Sequence, residues 1–295
     1  RPGLSPSLVI AHDYPTCPPA HDLARRYRAP LIVDSHEYML GALPENTQWV
    51  REQRPVIKVI QDRYFGLADQ VMTVSEGIAD QLNSEQALKR PVLVLRNAPP
   101  YVQSPFRPTS GAINVLYHGL LSPYRDLDLA IGAAALWRPE YRLTLRGPGD
   151  PDYLRHLRAM AAELGVEDRV SIEEPVSHDK LIESANRADI GLFAYRAGSP
   201  QRTYTLPNKF FEYVMAGLAL AVSDLPEMTR LVQRHALGLV VGDATPASLA
   251  SSIDSLTPER IDAFKQASLA AARELSWDTE QAGFLAIVNE LCRAP

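Results

Sequence analysis

The chain has 295 residues, 46% of them hydrophobic, and a formal net charge of −5. That length accommodates two domains of ordinary size with real apolar cores. An acidic chain with interspersed charges offers no extended basic face for nucleic acid. Its two cysteines, Cys17 and Cys292, stand near opposite ends in no metal or redox spacing and read as free thiols of a reducing compartment. No run of about 18 apolar residues is present to span a membrane. The chain starts with Arg1 and not Met, so its natural N-terminus is expected to lie outside this sequence and targeting is not judged from this end.

Taken in order, short β-branched runs alternate with longer helical patterns. Four strands are predicted early, at Leu8–His12, Pro30–Asp34, Gln70–Ser75 and Pro91–Leu95. The segment from Pro100 to Gly111 is rich in Pro, Ser and Thr and reads as a linker. Six further strands follow, at Ile113–His118, Tyr141–Leu145, Val170–Ile172, Ile190–Ala194, Leu218–Val222 and Leu237–Val241. Helical periodicity is clear at Asp152–Leu164 and from Pro258 to Cys292, with an interruption near Ser276–Asp278. Nearly continuous apolar strands alternating with helices predict an α/β chain of parallel sheets covered on both faces. Six strands make a complete Rossmann-like domain, and four make an incomplete one. The domains are expected at 1–107 and 108–277, with a final helix, 278–295, packing back toward the N-terminal domain.

In open parallel sheets a ligand sits beyond the carboxyl ends of the strands. Polar or glycine-bearing segments fall at such ends: His12-Asp13, Asp34-Ser35-His36-Glu37, His118-Gly119, Tyr124-Arg125 and Gly147-Pro148-Gly149. The stretch Leu206-Pro207-Asn208-Lys209-Phe210-Phe211-Glu212-Tyr213-Val214-Met215-Ala216-Gly217 is the most telling. Pro207 suits a first helical turn and Gly217 a helix end. Lys209 and Glu212, three apart, share one face near a helix N-terminus, which already attracts anions. A cation beside an acid able to accept hydrogen bonds from vicinal hydroxyls suggests a nucleotide-diphosphate ligand. The local alternative is a capped surface helix with a Lys–Glu pair.

These segments, together with Val74-Ser75-Glu76-Gly77, Tyr117-His118-Gly119 followed by Ser122-Pro123 and Arg125, Glu167-Asp168-Arg169-Val170, Ala188-Asp189-Ile190-Gly191, Ser223-Asp224-Leu225-Pro226-Glu227 and Ser276-Trp277, occur in one order from about Leu8 to Leu291. The chain resembles the retaining glycosyltransferases of family 4 (group 1), of GT-B fold, in which two Rossmann-like domains face each other. Each motif alone is weak; their number and order carry the likeness. Against the family's pattern the first domain starts midway, without the opening strands and their glycine-rich loop, which implies a truncated chain. The family's Glu-x7-Glu pattern ends at Glu212, but Tyr204 stands where its first Glu belongs, and Leu120 stands where an Arg often follows the glycine.

The resemblance implies roles residue by residue. Lys209 neutralises the departing diphosphate with Arg125, and His12 faces the reacting sugar. Glu212 holds the ribose. Gly119, Gly147 and Gly149 let the backbone approach the donor, and Tyr204, Thr205, Leu206 and Asn208 border it. Asp13, His36 and Glu37 shape the acceptor side. Asp34 reads as structural, His118 as a strand-end residue, and His21, His156, His178 and His235 as ordinary surface or cap histidines. The His and Asp positions show no metal spacing, so neither a metal nor another cofactor is expected. The implied activity is transfer of a sugar from a nucleoside-diphosphate sugar to an acceptor hydroxyl with retained configuration. Acceptors would be glycan, lipid-linked or small molecules in bacterial envelope synthesis. The implied setting is cytoplasmic, with peripheral contact to the inner membrane face left open. A nucleotide-sugar 2-epimerase and a non-catalytic nucleotide-sugar-binding subunit are the alternatives. The donor base and sugar are not specified.

Overall fold

The computed structural model describes residues 5–293. In chain order the strands are β1 (Val9–His12), β2 (Leu31–Ser35), β3 (Gln70–Thr73), β4 (Leu93–Val94), β5 (Ile113–His118), β6 (Tyr141–Arg146), β7 (Val170–Glu173), β8 (Ile190–Phe193), β9 (Ala219–Ser223) and β10 (Gly238–Val241). The helices are α1 (Asp13–Tyr27), α2 (Thr47–Glu52), α3 (Arg54–Tyr64), α4 (Glu76–Glu85), α5 (Leu127–Ala134), α6 (Pro151–Glu163), α7 (Leu181–Ala185), α8 (Pro200–Thr203), α9 (Asn208–Met215), α10 (Pro226–His235), α11 (Pro246–Asp254), α12 (Pro258–Ala271) and α13 (Trp277–Arg293). Among the described residues no helix is long and apolar enough to cross a membrane.

Two compact units result. The first joins residues 1–97, 197–206 and 279–295; the second joins 98–196 and 207–278. The expected boundary at 107/108 therefore moves to 97/98. The physical reason is that the linker is tied down: the Pro99 carbonyl accepts from Trp277 N–H at 2.9 Å. Arg107 Nε donates to Asn186 Oδ1 at 2.7 Å. The expectation also gave the first unit no part of 197–206, which returns to it.

In the first unit, β1-β2-β3-β4 form a parallel sheet in that order. The period of two along β2 decides what each face meets. Leu31 and Val33 join the larger core with Cys17, Ala20 and Ala24 of α1, Ile57 of α3, and Ile78 and Leu82 of α4. Ile32 and Met72 face the other way and pack with Leu291, Phe284, Ile287 and Val288 of α13. Both faces are covered, as a parallel sheet requires. Arg96 fixes α13 through Glu280, at 2.9 Å between Nη1 and Oε1.

In the second unit, six parallel strands run β10-β9-β8-β5-β6-β7. The order reverses between β5 and β8, the topological switch point where open α/β sheets bind ligands. The β5–β8 ladder itself is short, pairing only Val115 with Ile190 and Leu116 with Gly191. Beyond it the strands part, and the Tyr213 hydroxyl of α9 takes the place of the missing rung. It accepts from His118 N–H at 3.1 Å and donates to the Leu192 carbonyl at 3.3 Å. Buried backbone groups need such partners. At the other end of the sheet, Lys265 and Asp189 form a buried pair at 2.9 Å. Asp189 also accepts from Asn114 N–H at 2.9 Å.

The helix predicted around Lys209 starts one residue later than its sequence suggests. Pro207 is the N-cap, extended at ψ 150°, and Asn208 opens the helix. Gly217 follows its end at φ +70°. Removing one atom tests the bridging tyrosine: Tyr213→Phe leaves the His118 N–H and the Leu192 carbonyl without their partner. We expect a loss of about 1–3 kcal/mol of stability, read as a lower urea midpoint.

Candidate functional site

Lys209 stands in the first turn of α9, and its amine lies at the switch point. Nζ is 3.2 Å from the Tyr117 hydroxyl. It also sits 4.6 Å from the centroid of the Tyr117 ring, on β5, and 4.7 Å from that of Phe193, on β8. Aromatic faces attract a cation but do not neutralise it. The residue is 9% exposed. Its pKa is lowered to about 7, first by burial and then by the Arg125 charge, with Glu212 opposing both. Burial likewise pushes the Tyr117 hydroxyl up to about 12. The Arg125 charge thus acts on the Lys209 amine, among the described residues neither has a salt-bridge partner, and α9 has no side-chain cap at its N-terminus. Such a place favours a multivalent anion.

The loops after β5 and β6 run side by side around that amine. Gly119 N–H donates to the Arg146 carbonyl at 2.9 Å, and Leu121 N–H to the Pro148 carbonyl at 2.8 Å. Leu121 also bridges Gly149. This closeness is why glycines stand here. At Gly147, φ is +150° and a Cβ would fall 2.0 Å from the Gly119 carbonyl oxygen. At Gly119, φ is +115° and a Cβ would press on Lys209 Cε and Nζ at 3.2 Å. Arg125 ends a short 3-10 turn at Pro123–Arg125, followed by Asp126 at φ +50°.

Glu212, one turn after Lys209, meets the next residue of β5. Its Oε2 lies 2.8 Å from Nε2 of the buried His118. A cavity of about 490 Å³ opens beside it, lined also by Pro99, Val102, Arg107, His178 and Ile182. Lys209, Glu212, Arg125, Gly119, Gly147 and Gly149 therefore belong to one neighbourhood at the strand ends of the second unit. Exposed Asn208 opens the same helix.

In the first unit, His12 and Asp34 are register partners on adjacent parallel strands. His12 Nδ1 is 3.0 Å from Asp34 Oδ2, and His36 Nε2 is 2.9 Å from the same oxygen. Asp13, at φ +59°, accepts from His36 N–H at 2.9 Å. The Asp34 hydrogen bond, followed by the charges of Asp34, Asp13 and Glu37, raises the His36 pKa against the effect of burial. Sequence spacing shows no metal motif here. Parallel pairing nonetheless brings the ligand atoms of His12, Asp34 and His36 within 4.8 Å of one another, a group able to hold a metal ion. Asp34, read from sequence as structural, is the hub of this group. The pairing of residues 22 apart was the signal, and it is visible only once the sheet is aligned.

Tyr204, Thr205 and Leu206 belong to the first unit. Tyr204 is committed to packing. Its carbonyl accepts from Ser75 Oγ at 2.8 Å, its hydroxyl accepts from Gln81 Nε2 at 3.3 Å, and its ring lies edge-on to Tyr38. Leu206 is buried at 4% exposure, and Thr205 is half-buried. The expected part of this loop was its backbone N–H groups; that of Tyr204 donates to the Pro200 carbonyl at 3.1 Å and that of Thr205 to the Arg202 carbonyl at 3.4 Å. The sequence reading also passed over Tyr117, Phe193 and Tyr213, whose apolar character hid their place around the amine.

Two family models match the chain. A glycosyl transferase 4-like domain covers residues 3–98, and a glycosyl transferases group 1 domain covers 112–258. A D-inositol 3-phosphate glycosyltransferase of Acidothermus cellulolyticus is 27% identical over 197 residues, which is 62% of this chain and 42% of that protein. Its counterpart in Thermobispora bispora is 24% identical over 188 residues, 60% of this chain and 42% of that protein. The matched stretch thus spans less than half the length of either relative. Among solved structures, Anabaena HepE in complex with UDP and glucose superposes with a TM-score of 0.77 at 16% identity, covering 96% of this chain and 78% of that one. Sucrose-phosphate synthase from Thermosynechococcus elongatus gives 0.76 at 15%, covering 97% and 73%. With one matching family domain on each of its two parallel-sheet units, the chain belongs to the group 1 glycosyltransferases of the GT-B fold.

Proposed function

We propose that the protein transfers a sugar from a nucleoside-diphosphate sugar to an acceptor hydroxyl with retention of configuration, in bacterial envelope glycan synthesis. One observation carries this reading: at the switch point of the second sheet the buried Lys209 amine feels the Arg125 charge and, among the described residues, neither cation has a salt-bridge partner, with Glu212 one turn away. Solved neighbours support a nucleotide-sugar donor. HepE was solved with UDP-glucose, and the pneumococcal O-GlcNAc transferase GtfA with UDP and GlcNAc.

In this reading Lys209 and Arg125 hold the diphosphate and stabilise the charge that grows on the leaving oxygen. Glu212 accepts from the ribose hydroxyls. Gly119, Gly147, Gly149 and Asn208 give backbone access to the donor. No carboxylate is assigned as a covalent nucleophile. The leaving phosphate oxygen takes the acceptor proton on the face from which the acceptor attacks, which preserves configuration. In the first unit, Asp34 accepts from His12 Nδ1–H and leaves Nε2 to accept from a hydroxyl of the reacting sugar. Asp13, His36 and Glu37 serve the acceptor. The two cations and the α9 N-terminus supply the positive charge, so the reaction proceeds without a metal.

Three measurements test this. Lys209→Ala and Glu212→Ala are each expected to cut product formation at least about 100-fold, the scale of losing a charge-stabilising or charged hydrogen-bonding group, with unchanged circular dichroism. Wild-type rates in both variants end the proposal. Epimerised donor without acceptor would favour the epimerase alternative, and nucleotide binding without turnover the non-catalytic one.

The pH dependence follows from Lys209. Without ligand it loses its proton near pH 7, whereas a bound diphosphate keeps the amine protonated. Binding therefore takes up a proton, and UDP affinity falls as pH rises above about 7, by up to about tenfold per pH unit. Lys209→Met flattens that slope; calorimetry in buffers of different ionisation enthalpy reads both effects. Finally, exhaustive chelation with EDTA is expected to leave the transfer rate unchanged. A rate that collapses and returns with a divalent ion would instead give the His12–Asp34–His36 group a metal.

A further inference from the structure

Resting on that reading of Glu212, we infer that His118 is a positioning residue that aims Glu212 at the ribose, so that recognition of the sugar hydroxyls depends on a buried imidazole beneath them. His118 is the last residue of β5 and is 2% exposed. Its ring stacks at a tilt on Tyr213, with centroids 4.7 Å apart, and its own N–H is held by the Tyr213 hydroxyl. Ring and backbone are therefore both fixed from α9, the helix that carries Glu212. The contact between them is one hydrogen bond, Nε2 to Glu212 Oε2 at 2.8 Å.

The proton on this bond is decided by chemistry. An ionised carboxylate only accepts, so Nε2 carries the hydrogen. Nδ1 is then the bare lone pair, and Nδ1 is the ring atom that is buried without a partner. Among the described residues, His118 is the sole hydrogen-bond partner of the Glu212 side chain, through Oε2. No hydrogen bond engages Oε1 among the described residues, and Glu212 is one of the residues that line the cavity. One oxygen is anchored and the other is presented. A carboxylate held in one rotamer before the ligand arrives loses less entropy on binding than a free one.

The test compares UDP and GDP with their 2′,3′-dideoxy counterparts by titration calorimetry, using the full chain. The readout is ribose preference, the ratio of dideoxy to ribo dissociation constants. This ratio cancels any general weakening of the fold. Glu212→Ala is expected to bring it to about one. His118→Leu, similar in volume and without a donor, is expected to lower it about five- to tenfold, the loss of one hydrogen bond to a charged group, with dideoxy affinity changed less than about twofold. His118→Gln returns a donor near the Nε2 position and is expected to restore the ratio. If His118→Leu keeps the wild-type ratio while Glu212→Ala abolishes it, the positioning role is overturned. So too if a folded His118→Gln protein has lost the preference. If Glu212→Ala leaves the ratio intact, or neither ribonucleotide binds, the reading of Glu212 itself has failed.

Discussion

A buried ammonium without a carboxylate partner is the constraint on which the second unit is built. The chain contains two buried lysines that show what this means. Lys265 lies 2.9 Å from Asp189, which is also tied to the Asn114 backbone; its charge is matched and its role is to hold α12 on the sheet. Lys209 has the Tyr117 hydroxyl and two aromatic faces instead. Burial and then the Arg125 charge, opposed by Glu212, leave it with a pKa near 7 rather than an ordinary lysine value. Keeping it charged there costs on the order of 5 kcal/mol relative to water. A fold tolerates such a penalty where a ligand offsets it, which is why strongly shifted groups cluster at functional sites.

The neighbours of Lys209 make sense from that starting point. The amine needs space, so the strand end beside it is Gly119, and the next loop can lie against Gly119 only because Gly147 has no side chain. The amine needs an anion, so it sits where β5 and β8 part and a ligand can enter. Parting the strands would orphan backbone groups of His118 and Leu192, and the Tyr213 hydroxyl satisfies both. Lys209, Glu212 and Tyr213 lie within five consecutive residues of one helix. Electrostatics, hydroxyl recognition and strand separation are therefore set by how that single helix seats on the sheet.

Much of this was legible in the sequence because parallel strands and helix caps write local signals. All ten strands stand where their β-branched runs predicted, and Pro207 and Gly217 bracket the helix of Lys209. Lys209 and Glu212 were readable as a pair because three-residue spacing on a helix needs no tertiary knowledge. What was not legible depended on contacts between distant segments. Tyr204 was placed at the donor by its position eight residues before Glu212, and that spacing could not show that its ring and hydroxyl engage Tyr38 and Gln81. Asp34 looked structural because its partner His12 lies 22 residues away on the neighbouring strand. Segment 98–107 read as free linker because its hydrogen bonds go to Asn186 and Trp277, far along the chain.

The His12–Asp34–His36 group of the first unit poses a choice that proton counting sharpens. One carboxylate oxygen lies 3.0 Å from His12 Nδ1 and 2.9 Å from His36 Nε2. As hydrogen bonds, both contacts require those nitrogens to be protonated, because the carboxylate can only accept. As metal ligands, the same two nitrogens must present lone pairs. The two modes are therefore mutually exclusive at the same atoms. In the hydrogen-bonded mode His12 keeps Nε2 as an acceptor toward a sugar hydroxyl, and the pKa of His36 is raised, first by its hydrogen bond to Asp34 and then by the charges of Asp34, Asp13 and Glu37, against the effect of burial. In the metal-bound mode His12 would present Nε2 as a donor instead. The tautomer of His12 thus decides whether its Nε2 accepts a hydrogen bond from the ligand or donates one, and Asp34 is the residue that sets it.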